Sequence, residues 1–194
     1  MASFPTLQRP LRGDVAALRH IAERDIPEIL IAHQDDASLA AALGQRRPPS
    51  GAELGRGIEQ DPADRRSGTG AQLTVVAVGG DECCGQVRVR GADDRAELEI
   101  WVAPGMRRRG LGSDALRLAV AWLLGDCGLQ RVALSCEPDN LAVLSAARAA
   151  GFVHEGALPG GQPGPAGPDD MSVLSLLASD LAPPAPPTRP APPT

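Results

Sequence analysis

The sequence predicts one mixed α/β domain built on a mostly antiparallel sheet. Three observations carry this prediction. Segments of strand composition and of helical periodicity follow one another in the order β-α-α-β-β-β-α-β-α-β-β. The central strands are joined by short turn signals, Gly79-Gly80-Asp81 and Gly91-Ala92-Asp93-Asp94, the connection that antiparallel neighbours use. The chain has 194 residues, enough for one ordinary core.

Residues 1–12 form a poorly specified lead-in. Val15–Ile21 reads as the first strand. Asp25-x-x-Glu28 has the shape of a capping box with Pro27 in its first turn, so a helix is expected to about His33. Asp35–Leu43 is less regular and fits helix or loop. Arg46-Arg47-Pro48-Pro49 connects to a second capping box, Ser50-x-x-Glu53. That helix should run to about Gln60, with Leu54 and Ile58 on one side. Asp61–Gly70 is polar and reads as an exposed loop. Leu73–Val78 has strand composition. Gly85–Arg90 alternates polar and apolar residues, as a half-buried strand does. Glu97–Val102 is the fourth strand. Ser113–Leu124 is apolar nearly all round and predicts a well-buried helix, broken at Gly125 and Gly128. Arg131–Cys136 is the fifth strand. Pro138-Asp139-Asn140 opens a helix that ends at Gly151. Phe152–Gly156 is a short strand, Pro159–Pro168 a Gly/Pro loop, and Met171–Leu177 the last strand. The domain is expected over residues 13–181. Residues 182–194 are Ala, Pro, Thr and one Arg, which cannot bury enough apolar surface to offset ordering entropy. A disordered or polyproline-II tail is expected there.

Composition narrows the function. The net charge is −5 with no long block of one sign, which argues against a general nucleic-acid binder. No apolar run is long enough for a membrane span, and the N-terminus lacks a signal-peptide core. The 4 cysteines do not make a disulfide framework, and the 3 histidines, His20, His33 and His154, lie far apart in sequence. No metal site is expected, and a reducing cytoplasm is the expected location. The chain contains no tyrosine, so a phenolic proton donor is excluded.

The most informative segment is Arg107-Arg108-Arg109-Gly110-Leu111-Gly112. It lies between the fourth strand and the helix that begins near Ser113. The first N–H groups of a helix lack intrahelical partners, and the dipole there favours an anion. Glycines let backbone approach a bulky ligand. A phosphate would be held by main chain, with the arginines adding attraction. A solvated basic loop is the competing explanation for the arginines alone. The segment is neither a dinucleotide fingerprint nor a Walker loop.

Arg107-x-x-Gly110-x-Gly112 resembles the acyl-CoA signature of the GNAT N-acetyltransferase superfamily. Glu97 to Pro104 resembles that family's fourth strand. Asn140 followed by Gly151-Phe152 resembles a further family segment. The similarity extends from about Val15 to Asp180 and is closest in flavour to the branch that acetylates ribosomal-protein N-termini. The resemblance implies a sheet whose fourth and fifth strands splay apart. It implies acetyl-CoA as co-substrate, with no metal. The pantetheine arm would lie along Trp101, Val102 and Ala103. The pyrophosphate would lie on the N–H groups from Arg107 to Ser113, through Arg108, Arg109, Gly110, Leu111 and Gly112. Asn140 would bond the pantetheine arm or a water beside the sulfur, although it fits a helix cap equally well. A homodimer is compatible with what is common among similar proteins.

Glu97 and Glu99 share one strand face with Trp101, opposite Leu98, Ile100 and Val102. Either this face is wet, with arginines such as Arg88 and Arg90 paired across the sheet, or it lines an acceptor cleft. In a cleft, one glutamate would attract a cationic amine and take its proton. The family pattern favours Glu97, with Glu99 second. The N–H of Val102 is the expected carbonyl polariser. Many relatives place a tyrosine where Ala147 stands, and another subgroup a serine where Val143 stands. Water, Ser145, Ser135 or Cys136 remain as proton donors to the thiolate. The function implied is direct acetyl transfer to a primary amine of a protein N-terminus or small molecule. The alternative is a degenerate acyl-CoA sensor.

Overall fold

The computed structural model describes residues 3–164 and 167–181. Its eight strands are β1 (Leu11–Arg12), β2 (Ala16–His20), β3 (Gly70–Ala77), β4 (Gly85–Ala92), β5 (Arg95–Val102), β6 (Arg131–Cys136), β7 (Val153–Gly164) and β8 (Gly167–Leu177). They form one sheet in the order β1-β2-β3-β4-β5-β6-β8-β7. Among the described residues, only β5 and β6 pair in parallel. The helices are α1 (Ile26–Asp35), α2 (Leu39–Ala42), α3 (Gly51–Ser67), α4 (Leu111–Ala121), α5 (Leu141–Ala149) and α6 (Ala178–Leu181). The mixed, mostly antiparallel sheet is the expected one.

Strand alternation sends two sets of side chains to opposite faces. Leu18, Leu73, Val75, Val87, Leu98 and Leu134 pack with Leu116 and Ala119 of α4 and Leu144 of α5 in the larger core. Trp101 lies in a smaller core with Ile29, Leu39 and Leu54, from α1, α2 and α3. The second capping box forms: Ser50 N donates to Glu53 Oε2 at 2.8 Å, and Glu53 N to Ser50 Oγ at 3.3 Å. The first does not. Asp25 is buried and paired with Arg19 at 2.6 Å, and accepts from Thr74 Oγ1 at 2.7 Å. It also accepts from Ala22 N at 2.9 Å, one turn before the helix, and makes no side-chain bond to the start of α1 itself.

Three other segments differ from the sequence expectation. Asp61–Gly70 is no exposed loop, because α3 continues through Pro62 to Ser67 and stops at Gly68, whose φ is 73°. Asp61 and Arg65 pair at 2.8 Å one turn apart and are both buried. Asp61 also accepts from Gln72 N at 2.7 Å, and Arg65 donates to Thr6 Oγ1 at 2.8 Å. Charges that suggest solvent are thus consumed against each other and against β3. The lead-in is likewise engaged, with Phe4 only 3% exposed and its ring 5.9 Å from that of Trp122. Pro159–Pro168 is not a free loop either. β7 and β8 keep pairing outward, Gln162 opposite Asp169 and Gly164 opposite Gly167. The predicted tail at 182–194 falls outside the described residues. Among the described residues, no helix is long and apolar enough to cross a membrane, and no three His, Cys, Asp or Glu side chains group as metal ligands.

Candidate active site

β5 and β6 pair only from Arg95 to Leu98 against Arg131 to Leu134. Past that rung the strands part, as the resemblance implied. Each stays held by its outer neighbour: β4 pairs with β5 as far as Val102, and β8 with β6 as far as Cys136. The result is a fork in the sheet rather than a frayed edge. A cleft of about 720 Å³ occupies the fork, and α1–α2 residues Asp36 and Leu39 line it together with α5 residues Val143 and Ala146.

The backbone of β5 faces two ways in the fork. Ala103 N donates to Cys84 O at 2.8 Å, so the Ala103 N–H and the backbone polar groups of Trp101 face β4. Ile100 and Val102, one residue out of phase, direct theirs into the fork. Ala103, expected as a pantetheine contact, does not line the cleft, and its carbonyl accepts from Met106 N at 2.8 Å. Ile100, which the sequence did not single out, lines the cleft. Trp101 also lines the cleft, with its Nε1 donating to Gln86 Oε1 at 3.2 Å.

The glycine turn closes one end. Gly110 is the N-cap of α4 with φ 79°, a conformation that favours glycine. The first intrahelical bond of α4 is Asp114 N to Gly110 O, at 3.1 Å. The N–H groups of Leu111, Gly112 and Ser113 precede it, and all three residues line the cleft with Gly110. A Cβ on Gly112 would sit 3.7 Å from Val102 Cγ2 and 3.9 Å from Ala146 Cβ, so the absent side chain keeps the passage between β5 and α5 open. The three arginines behave differently. Arg107 donates from Nε to Val102 O at 3.0 Å and pairs with Asp36 across the cleft mouth. Ser38 and Arg107, both bonded to the Asp36 carboxylate, hold it below the usual carboxylate range. Arg108 lines the cleft on a backbone with φ 62°. Arg109 is turned away onto Gly105 O, at 3.0 Å, and does not line the cleft.

The two glutamates separate. Glu99 lines the cleft at the first position past the last paired rung, with its side chain 19% exposed. Glu97 stands in the paired part of β5, does not line the cleft, and its side chain is 44% exposed. Arg90 reaches both, at 2.6 Å from Glu99 and 3.5 Å from Glu97. Of the two glutamates singled out in the sequence, Glu99 and not Glu97 stands at the cleft.

On the other wall, Asn140 caps α5 by accepting from Val143 N at 3.2 Å and lines the cleft as well. Ser135, Cys136 and Ser145 all line it. Burial pushes the Cys136 thiol up to about 11, so it is protonated at neutral pH. Ala147 is fully buried and does not line the cleft.

Residues 16–153 match the acetyltransferase (GNAT) domain family. Comparison with curated protein sequences found no match. Solved structures share the fold. RimJ of Mycobacterium smegmatis, in complex with CoA-disulfide, superposes with a TM-score of 0.72 at 20% identity, over 89% of this chain and 88% of its own. The Salmonella typhimurium acetyltransferase that modifies the N-terminal serine of ribosomal protein L7/L12 gives 0.74 at 16% identity, over 87% and 99%. The microcin C7 self-immunity acetyltransferase MccE, in complex with acetyl-CoA and AMP, gives 0.72 at 19%, over 85% and 93%. With the family match spanning most of the chain and a forked sheet beside a glycine-opened helix, this protein belongs to the GNAT family of acetyltransferases, whose acetyl donor is acetyl-CoA.

Proposed function

We propose that the protein transfers an acetyl group from acetyl-CoA directly to a primary amine, with Glu99 as the proton acceptor. The observation that carries this reading is the position of Glu99. It is the one carboxylate of β5 that lines the fork, on the face turned toward α1–α3. Acetyl-CoA supplies the activated acetyl group. The free N–H groups at the start of α4 and Arg108 would hold its phosphates. The Ile100 and Val102 edge would hold the pantetheine arm. Val102 N–H, fixed in direction by the β4 pairing, would polarise the thioester carbonyl. Glu99 would draw in a cationic amine and take its proton, directly or through water. Water, Ser135, Ser145 or the protonated Cys136 thiol on the opposite wall would protonate the leaving thiolate. A CoA thiolate is a tolerable leaving group, so the missing tyrosine does not preclude turnover. The likeness to the acetyltransferase that modifies the N-terminal serine of L7/L12 supports a protein N-terminus as acceptor, with a small amine as the other acceptor class.

Free-thiol release from acetyl-CoA against a panel of N-terminal peptides and small amines tests this reading. Amine-dependent release is expected for at least one class. CoA binding by calorimetry with no release for any amine would overturn it and leave an acyl-CoA sensor.

A further inference from the structure

A second pocket, of about 450 Å³, lies on the same side of the sheet as Glu99 and outside the fork. Arg46, Arg47 and Arg88 line it, with Glu53 as its only acidic residue. Arg47 and Glu53 neutralise one another through two hydrogen bonds, 2.6 and 2.9 Å. The other Glu53 contacts go to Ser50 N and Oγ. Two positive charges remain. Arg46 is exposed and forms no ion pair among the described residues. Arg88 is the unusual one. It projects from the middle of β4 into a largely desolvated position, its Nε is buried without a partner, and Gln45 Oε1 on the same wall is likewise unpartnered. A buried cationic donor left unbonded is costly, and a carboxylate is its natural complement. Arg90 holds the Glu99 carboxylate at 2.6 Å, and Glu99 acts on Arg88 as a nearby charge without an ion pair between them.

Register ties this pocket to the reaction site. Arg88 is directly opposite Glu99, so their side chains leave the sheet on one face with Cβ atoms about 5 Å apart. Leu54, on the pocket wall, packs in one cluster with Trp101 and Leu39 of the fork.

We propose that this pocket is an acceptor subsite for a carboxylate, so that the preferred substrate is an amine carrying a nearby negative charge. The inference rests on the transferase reading and names the substrate class of that site. Arg88 grips the acid, Arg46 adds attraction at the rim, and Glu99 receives the amine. The carboxylate can come from an acidic side chain near a peptide N-terminus or from the α-carboxylate of a free amino acid.

The test is calorimetry on the CoA-loaded protein with matched pairs: tetrapeptide amides bearing Asp or Asn at the second or third position, and serine against serinamide. The acidic member of at least one pair should bind at least tenfold tighter. That preference should vanish in Arg88→Gln, survive in part in Arg88→Lys, and shrink severalfold in Arg46→Gln. A preference in the peptides assigns the side-chain source, and one confined to serine assigns the α-carboxylate. Equal binding within every pair, or a preference that persists in Arg88→Gln, overturns the subsite. Arg46 is exposed, so its variant carries the test if Arg88→Gln does not fold. Acetylation of neutral and acidic members alike keeps the transferase and removes the subsite. Selective binding without turnover keeps the subsite and removes the transferase.

Discussion

The two ends of the β5–β6 pair are built from the same strands and do opposite work. At the closed end Leu98 lies opposite Leu134, each 1% exposed, and the rungs between the strands are made. At the open end the rungs are withheld, yet neither strand is loose, because β4 and β8 go on pairing from outside. The closed end is where apolar burial holds the sheet together. The open end is where unpaired backbone, a helix N-terminus and a carboxylate are available to ligands. Glu97 and Glu99 are two residues apart on one face and fall on either side of that boundary.

The first way to break the comparison is to weaken its closed end. Leu134→Ala removes a fully packed side chain from the last paired rung and should destabilise the fold by about 2–5 kcal/mol. Val102→Ala, at the half-buried open end, should cost clearly less. Denaturant unfolding of both variants checks this, and equal losses would mean that the fork is as tightly packed as the rungs.

The open end is probed by filling it. Gly112→Val leaves the helix backbone undisturbed, since a Cβ there meets only ordinary contacts at 3.7 and 3.9 Å. Its methyls extend into the passage between Val102 and Ala146. CoA affinity should fall at least tenfold, about 1.4 kcal/mol, with the melting temperature nearly unchanged. Unchanged affinity in calorimetry would place the cofactor elsewhere. Gly110 is a less clean position, because its φ of 79° makes any side chain strained before it meets a ligand.

A smaller effect separates the ends by pH. His33, 4% exposed, packs its ring 6.3 Å from that of Trp101, with both ring nitrogens unpartnered. Burial, and then the nearby Arg88 charge, lower its pKa below 6.5; burial and Arg65 do the same for His20. The native state therefore holds both neutral, while the unfolded chain takes up protons near 6.5. The stability from neutral histidine is present above that pH and is lost as the pH falls through 6.5 toward the lower native values. Melting temperature should drop between pH 7.5 and 5.5, and His33→Leu should flatten part of the drop. An unchanged slope in that variant would show that His33 does not titrate in this window.

The glycine-turn side of the fork was legible in the sequence because its signals are local. The Arg107–Gly112 turn, the alternation of β5 and the Asn140 cap each lie within a few residues. What was not legible depends on partners distant in the chain. Asp61 and Arg65 look solvated until β3 and Thr6 are beside them. Asp25 looks like the cap of α1 until Arg19, Thr74 and Ala22 N claim its oxygens. Arg88 looks like the wet side of an alternating strand, and its burial appears only when α1–α3 cover it. Glu97 and Glu99 are equivalent by periodicity, and only the point where the β6 rungs stop tells them apart.

That last distinction gives the most direct measurement, turnover of Glu99→Gln beside Glu97→Gln with an amine the native protein acetylates. Glutamine keeps the shape of either side chain and cannot take a proton. Glu99→Gln should lower kcat by about 10²–10⁴-fold, leave acetyl-CoA affinity nearly unchanged, and recover in part at high pH as more amine is neutral. Glu97→Gln should keep most of the native rate. A large loss in Glu97→Gln with Glu99→Gln intact would contradict the account and move the proton acceptor to the closed end of the strand.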